Sequence, residues 1–400
     1  MLAKLVNWER IKPKGDPFMW GIIAILSLWG SLAVYSSTSA LAYVKHGASA
    51  EMFLFQQLVY LLIGGYVMLY IHSIHYKKFM KVAKLALYFS YGLLLLTLFV
   101  GSEINDAQRW LTIPIIGVTF QTSEVAKVAL ILFIASELAK RQEDIKDFKK
   151  GFLPILIHVA IVCTLIAPNN LSTALVLAAT CFVIMFIGRV SIKHISMVLT
   201  PALIALLLLG FIAYKTPDKY LKPFGRLLTW KHRIENFSQP KNDNNDINDV
   251  SYQNDHAKIA IATGGFWGKG PGQSTERNFL PEAYSDFIYA IIIEEYGFFV
   301  GGIGMLFLYL FFMYRAFRII VKSPKAFGAL VAIGLSFALV MQALINMAVA
   351  VNLFPVTGLT LPLVSKGGTS IIITSFAFGM IMSVSRFVEE EQAVSEKNNH

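Results

Sequence analysis

Residues 326–350, AFGALVAIGLSFALVMQALINMAVA, contain no Asp, Glu, Lys or Arg. A hydrocarbon core about 30 Å thick takes roughly 20 apolar residues of helix, and backbone polar groups in lipid have to be satisfied within their own segment. The stretch therefore reads as a membrane span, and its length is the ruler for the rest of the chain. Working outward from it, further runs fall near 18–38, 52–72, 83–102, 122–140, 152–168, 171–188, 195–214, 284–314 and 369–387. The expected fold is all-α: a polytopic integral membrane protein of ten transmembrane helices. Composition agrees, since 56% of the 400 residues are hydrophobic, 15% are charged and the mean hydropathy is +0.58, outside the balance of soluble domains.

The basic residues give an orientation. The segments 1–16, 73–84, 140–150, 189–194, 315–325 and 386–400 hold 21 of the 35 Lys and Arg residues, whereas the short connections of the other side hold only Lys45, Arg109 and Lys366. By the positive-inside rule both termini are cytoplasmic. Segment 215–283 carries ten more, but loops of that size translocate largely regardless of charge, so it is expected as a large extracytoplasmic loop between helices 7 and 8. The expected organisation is a single membrane domain over 1–400. It comprises a cytoplasmic tail 1–17, helices 1–7 over 18–214, the outer loop 215–283, helices 8–10 over 284–387 and a tail 388–400. The net charge of +10 is thus a topology signal and no sign of a nucleic-acid partner. Cys163 and Cys181 lie in different apolar runs without metal spacing, so no redox or zinc chemistry follows. The N-terminus lacks a signal-peptide cleavage pattern and reads as a basic tail before a retained first span.

The outer loop is heterogeneous. Residues 220–237, YLKPFGRLLTWKHRIENF, suit an interfacial helix, and 239–250, QPKNDNNDINDV, read as flexible. The glycine-rich 264–272, GGFWGKGPG, either bends around a ligand or simply turns; its spacing is not that of a phosphate-binding P-loop. No internal repeat supports an inverted-repeat transporter.

The unusual polar residues cluster toward the outer ends of the spans. In 102–127, SEINDAQRWLTIPIIGVTFQTSEVAK, Arg109 precedes Trp110, either as a functional cation or as a snorkelling Arg beside an aromatic anchor. Glu124 and Lys127 share a helix face at i, i+3, as a cavity pair or a self-neutralising one. In 280–297, LPEAYSDFIYAIIIEEYG, Asp286 stands where a helix cap belongs, and Glu294 and Glu295 lie two to three turns further on. At 100° per residue Glu294 is expected to share a cavity with Asp286 and Glu295 to pack against a neighbouring polar group. Residues 355–370, PVTGLTLPLVSKGGTS, are too apolar for a solvent loop and read as re-entrant or cavity-lining.

Taken in order, RW, the Q-x-S-E-x-x-K opening of span four, YQ followed by GGFWGKGPG, LPEAYSDFIYAIIIEEYG and PVTGLTLPLVSKGGTS resemble the SEDS family of shape, elongation, division and sporulation proteins. The resemblance covers essentially the whole chain, and PVTGLTLP is similar to the division branch and its sporulation relative. It implies a peptidoglycan glycosyltransferase that polymerises lipid II at the outer face of the cytoplasmic (inner) membrane, at the division septum. The implied partners are a class B penicillin-binding transpeptidase, undecaprenyl-linked glycan, membrane lipid and other divisome membrane proteins. The family's essential aspartate falls on Asp286. Arg109, Trp110, Glu124, Lys127, Lys269, Ser365, Lys366, Gly367 and Gly368 fall on substrate-binding or cavity positions, with Glu294 as a cavity carboxylate. Three positions depart from the family pattern: Thr122 replaces a usual Pro, Asn170 in APNNLSTA replaces a usual Asp, and Lys366 replaces a frequent Tyr.

The expected chemistry is a single inverting displacement at the anomeric carbon of the lipid-linked glycan. Asp286, its pKa raised by partial desolvation, takes the proton of the acceptor 4-hydroxyl. Arg109 and Lys127, with Lys366 or a divalent cation (Mg or Mn), neutralise the departing pyrophosphate. Two other classes stay open at this stage. A lipid flippase or transporter predicts polar groups continuing into the cytoplasmic half, and a non-catalytic scaffold predicts that Asp286→Ala is tolerated.

Overall fold

The computed structural model describes residues 12–44, 50–104, 107–112, 119–221, 225–238, 249–280 and 283–398. The tail 1–11 lies outside the described residues, as does 239–248 of the segment 239–250 expected to be flexible, whose last two residues begin a helix. Helices dominate: α1 (Pro17–Val44), α2 (Ala50–Ser73), α3 (Lys77–Val100), α4 (Thr122–Lys140), α5 (Leu153–Ile166), α6 (Leu171–Ile187) and α7 (Ile192–Lys215) come first. The outer loop supplies α8 (Asp218–Leu221), α9 (Gly225–Ser238) and α10 (Asp249–Gly264); then follow α11 (Ile288–Tyr296), α12 (Met305–Lys322), α13 (Ala326–Ala350) and α14 (Thr369–Asn398).

Eight described stretches are long and apolar enough to cross a membrane. Two of the ten expected spans fall short by that measure. The apolar α6 has only 17 residues, and α4 carries Glu124, Lys127, Glu137 and Lys140 within its 19. Those charges are tolerated because α4 lies inside the bundle: most of its residues are buried against α3, α6 and α13. At the opposite extreme, α7 buries only Ala213 and leaves a nearly continuous apolar surface. α2 and α14 approach closely through small residues, as membrane helices do: a Cβ at Gly379 would lie 2.7 Å from Met68 O, and one at Gly64 would lie 2.5 Å from Ser375 Oγ.

The all-α expectation needs one amendment. Three short strands, β1 (Ser102–Ile104), β2 (Ala107–Thr112) and β3 (Thr119–Gln121), form an antiparallel sheet in that order, with Trp110 opposite Gln121 and Thr112 opposite Thr119. The Trp, Thr and Phe side chains favour strands, and the pairing delivers Arg109 to the N-terminal end of α4.

A second correction concerns the expected helix over 284–314. It is two pieces that fold back on each other. Gly297 takes φ +78° and ψ 173°, which no helix accommodates, and a π-helical segment, Gly297–Gly304, leads into α12. Tyr289 donates through its hydroxyl to Gly302 O at 3.0 Å, and a Cβ at Gly301 would lie 2.5 Å from Ile292 O. In one continuous helix those pairs would be about 20 Å and about 14 Å apart along the axis. The reversal leaves Ser285 and Asp286 at one end of α11, against α13 and the 351–368 loop, and Glu294 at the other end, against the glycine-rich loop; Tyr309 of α12 donates to Pro362 O at 2.5 Å.

At the far end of the bundle the chain is clasped shut. Asp16 caps α1 through Phe18 N (2.9 Å) and Met19 N (3.3 Å), receives Arg315 Nε at 2.6 Å, and donates its own N–H to Ser385 Oγ at 3.0 Å. Lys14 O accepts from Trp20 Nε1 at 3.0 Å and from His72 Nε2 at 3.1 Å.

Candidate active site

The loop 351–368 between α13 and α14 is held from two sides. From α13, Gln342 Nε2 donates to Thr360 O at 2.9 Å and Asn346 Nδ2 to Leu359 O at 2.7 Å. From the 284–286 turn, Ser285 O accepts from Ser365 Oγ at 2.7 Å and Tyr284 O accepts from Lys366 N at 2.9 Å. Asn346 Nδ2 also donates to Asp286 O at 3.0 Å. The Asp286 backbone is therefore fixed by α13 and the last loop together. Its side chain accepts from Ser285 Oγ at 3.1 Å. Asp286 is not the helix cap that its position suggested, because the N-cap of α11 is Phe287.

Arg109 meets Asp286 across Gly358. A Cβ at that glycine would lie 3.3 Å from Arg109 Nη1 and 3.8 Å from Asp286 Oδ2. Gly358, at φ +70°, thus provides both the turn and the empty space between a guanidinium and a carboxylate. Arg109 Nε is steadied by Asn169 O at 2.9 Å, and Trp110 lies beside it on β2.

Glu124 and Lys127 are both buried. Lys127 Nζ donates to Glu124 Oε2 and to Gln342 Oε1, each at 2.7 Å. Through Gln342 the pair is wired to Thr360 O, so α4, α13 and the last loop form one polar thread. Gln342 and Asn346 were missed at the level of sequence. Their signal was there, two amides at i, i+4 in a span without charge, which places both on one face and demands partners.

The glycine-rich loop has a partner other than a ligand. It folds onto the end of α11, with Lys269 N donating to Glu294 O and Gly270 N to Glu295 O, both at 2.9 Å. Fully buried, Glu294 accepts from Lys269 Nζ at 2.5 Å, from Thr275 N at 3.0 Å, from Thr275 Oγ1 at 2.9 Å and from Ser274 Oγ. All its described partners belong to 263–276, so Glu294 and Lys269 are brought to each other and away from the Arg109–Asp286 group. Glu295 accepts from Ser36 Oγ, which is the neighbouring polar group its position called for. Lys366 Nζ stands over Phe53, 3.7 Å from the ring centroid, with Tyr284 at 5.1 Å. Gly367 and Gly368 lead into α14, where Ser370 N and Ile371 N donate to their carbonyls.

Outside the bundle, α9 is moored to the end of α7 by Lys231. Its Nζ donates to Thr216 O and Asp218 Oδ1, each at 2.7 Å, and that bond holds the Asp218 carboxyl below its usual range. Among the described residues no group of three or more His, Cys, Asp or Glu side chains is placed to hold a metal ion.

Comparison with known proteins fits this arrangement. The family model described as cell cycle protein, covering FtsW, RodA and SpoVE, matches residues 17–390. A probable peptidoglycan glycosyltransferase FtsW of Geobacter sp. (strain M18) is 32% identical over 92% of this chain and 96% of its own length. Stage V sporulation protein E of Bacillus subtilis (strain 168) is 33% identical over 94% and 98%. Among solved structures, a chain from a peptidoglycan synthase complex that coordinates polymerization and crosslinking aligns with a TM-score of 0.73, at 26% identity, over 94% of this chain and 98% of that one.

Proposed function

The chain belongs to the cell cycle protein family of FtsW, RodA and SpoVE, and on that premise we propose how its polar centre works. It is a peptidoglycan glycosyltransferase and a multi-pass membrane protein. The observation that carries the mechanism is the convergence of Arg109 and Asp286 on Gly358. The substrate is lipid II, the active site faces outward from the cytoplasmic membrane, and ten helices cross it with both termini inside. Similarity to a peptidoglycan synthase complex supports a class B penicillin-binding transpeptidase as partner, with work at the division septum beside other divisome proteins.

In the reaction the acceptor's sugar 4-hydroxyl oxygen bonds to the anomeric carbon of the growing glycan as the carbon–oxygen bond to the pyrophosphate breaks, inverting that centre. The hydroxyl proton passes to Asp286, a general-base contribution of about 10²–10⁴-fold. The electron pair leaves on the polyprenyl pyrophosphate, where Arg109 opposes its charge. Lys366, on the last loop with its Nζ over Phe53 and Tyr284, is the second cation assigned to the pyrophosphate. Glu124 and Lys127 act through the Gln342 thread to hold the last loop in place. A divalent cation, Mg or Mn, held on the pyrophosphate oxygens beside Asp286 would add to the same charge neutralisation.

The test is polymerisation of purified lipid II with the cognate transpeptidase present. Wild type is expected to make glycan strands, and Asp286→Asn is expected to bind the partner while making none. Equal polymerisation by the isosteric variant would remove Asp286 from the chemistry.

A further inference from the structure

The glycine-rich loop does more than answer Glu294. Its tip stands out from the protein: Phe266 is 64% exposed and Trp267 79%. Both rings are nevertheless held. Phe266 stacks on Phe299 with centroids 5.5 Å apart and 24° between planes, and Trp267 leans on the same ring at 5.9 Å. The backbone fixes them as well, because Phe298 N donates to Gly265 O at 2.9 Å and Phe299 N to Phe266 O at 3.4 Å. Phe298, Phe299 and Val300 are themselves half-exposed beside the tip.

Two helices measure the height of this aromatic cluster from one origin, the Asp16–Arg315 pair at the far end of the bundle. Along α1, Ser36 lies about 30 Å from Asp16 at 1.5 Å per residue, and it meets both Arg277 and Glu295 at the end of α11. Along the segment that becomes α12, Phe299 lies about 24 Å from Arg315 by the same measure. A hydrocarbon core is about 30 Å thick, so the cluster stands at its opposite, outer edge. That is the level at which amphipathic aromatic rings collect in membrane proteins, between the apolar layer and the headgroups.

The chemistry of the surface names its cover. Residues 259–268, IAIATGGFWG, and 296–314, YGFFVGGIGMLFLYLFFMY, contain no charged side chain. The adjoining Lys269 turns inward to Glu294. Below the cluster, exposed apolar surface continues down α12 through Ile303, Phe307 and Leu310. A protein partner is met by an apolar core with a polar rim around it. Here the tip lacks such a rim toward α12 and runs without a break into the face of a membrane span, which is the arrangement that lipid covers.

We propose that the Phe266–Trp267 tip is a membrane anchor seated at the headgroup boundary of the outer leaflet, and that it sets the depth at which Asp286 is held in the bilayer. The second half rests on the reading of the protein as a lipid II polymerase. The connection is α11, a helix of nine residues. At one end the loop is fastened to it through Lys269 N, Gly270 N and the Lys269–Glu294 pair; Asp286 stands just before the other end. Every residue from Ile288 to Glu295 is buried, so the helix transmits the position of the loop as a rigid strut. A substrate tethered by its polyprenyl chain presents its reacting centre at a height fixed by the bilayer. The base has to be held at the matching height, since a misplacement of about 1 Å costs up to about 10²-fold in rate.

The experiment follows the fluorescence of the full chain in nanodiscs of phosphatidylcholine brominated on the acyl chain either close to the headgroup or close to its end. Trp267→Phe serves to subtract the other tryptophans. Trp267 is expected to be quenched at least about two-fold more by the shallow bromines than by the deep ones, and to resist aqueous acrylamide, with or without the cognate transpeptidase. Quenching by acrylamide alone, or mainly by the deep bromines, would overturn the anchor. So would loss of lipid quenching when the transpeptidase binds, which would make the tip a seat for that partner. Depth-setting is read from lipid II polymerisation by Phe266→Ser combined with Trp267→Ser, both at largely exposed positions. With an unchanged melting temperature, this variant is expected to match wild type in detergent micelles and to lose at least about three-fold of its rate in bilayers. Equal rates in bilayers, or the same loss in micelles, would overturn that role. If wild type makes no polymer with its partner, the enzymatic reading falls, and the quenching still decides the anchor.

Discussion

Lys127 and Glu124 sit in the middle of the bundle with almost no access to solvent, and their value lies in each other. Removing one partner of a buried pair leaves an uncompensated charge, a loss of about 3–5 kcal/mol. Lys127→Met should therefore destabilise the protein by about 3 kcal/mol or more, whereas Glu124→Gln combined with Lys127→Met should cost less than the two single changes together. Unfolding in detergent checks this as a double-mutant cycle, and strict additivity would mean that the pair is not coupled. The pair was legible from its i, i+3 spacing. Glu294 was not, and the reason is physical. Its angular relation to Asp286 assumed one helix through both, but 283–287 is a turn, α11 starts at Ile288, and the chain reverses at Gly297. A helical wheel has no way to register that a carboxylate eight residues along ends at the opposite end of the cavity wall.

Among the elements, the glycine-rich loop and α11 depend on close backbone approach. A Cβ at Gly297 would lie 2.4 Å from Phe266 O in addition to requiring φ +78°, whereas Gly265 has φ +55° but nothing within 4 Å of its Cβ position. Left-handed strain alone costs an ordinary residue roughly 1–2 kcal/mol. Gly297→Ala should exceed that, open 264–276 to protease and lower the melting temperature further than Gly265→Ala does. Equal effects would show that the contact with Phe266 is unimportant. Element by element, hydropathy located the helices well because lipid makes the same demand on every span. It said nothing of β1 to β3, which are too short to carry a hydropathy pattern and are held by pairing and by contacts remote in sequence such as Arg109 to Asn169 O and Thr369 to Thr119 O, nor of the target of the glycines, which is a set of carbonyls some 25 residues further along the chain. The mooring of α9 through Lys231 was equally hidden, since it joins a predicted interfacial helix to the carbonyl at Thr216.

For the molecule as a whole, the orientation argued from Lys and Arg has a direct test. Asp255→Cys, on the exposed side of α10, should react with an impermeant maleimide on intact cells, and Val394→Cys should react only after permeabilisation. Labelling in the reverse order would invert the topology and put Asp286 on the wrong side of the membrane for lipid II polymerisation. The centre itself is assembled from parts remote in sequence: β2, the 284–286 turn, α13 and the last loop. All but the amides of α13 were singled out as odd polar residues in an apolar context, but only their convergence shows which act together. The clasp at the other end of the bundle carries this remoteness to its limit. Asp16, at the start of α1, is completed by Arg315 on α12 and by Ser385 on α14, 369 positions later. During biosynthesis the Asp16 carboxylate therefore lacks Arg315 until α12 has been made, and the Asp16 N–H lacks Ser385 until α14 has. A chain interrupted before α12 is an unlatched one, exposing a charge that the finished protein buries.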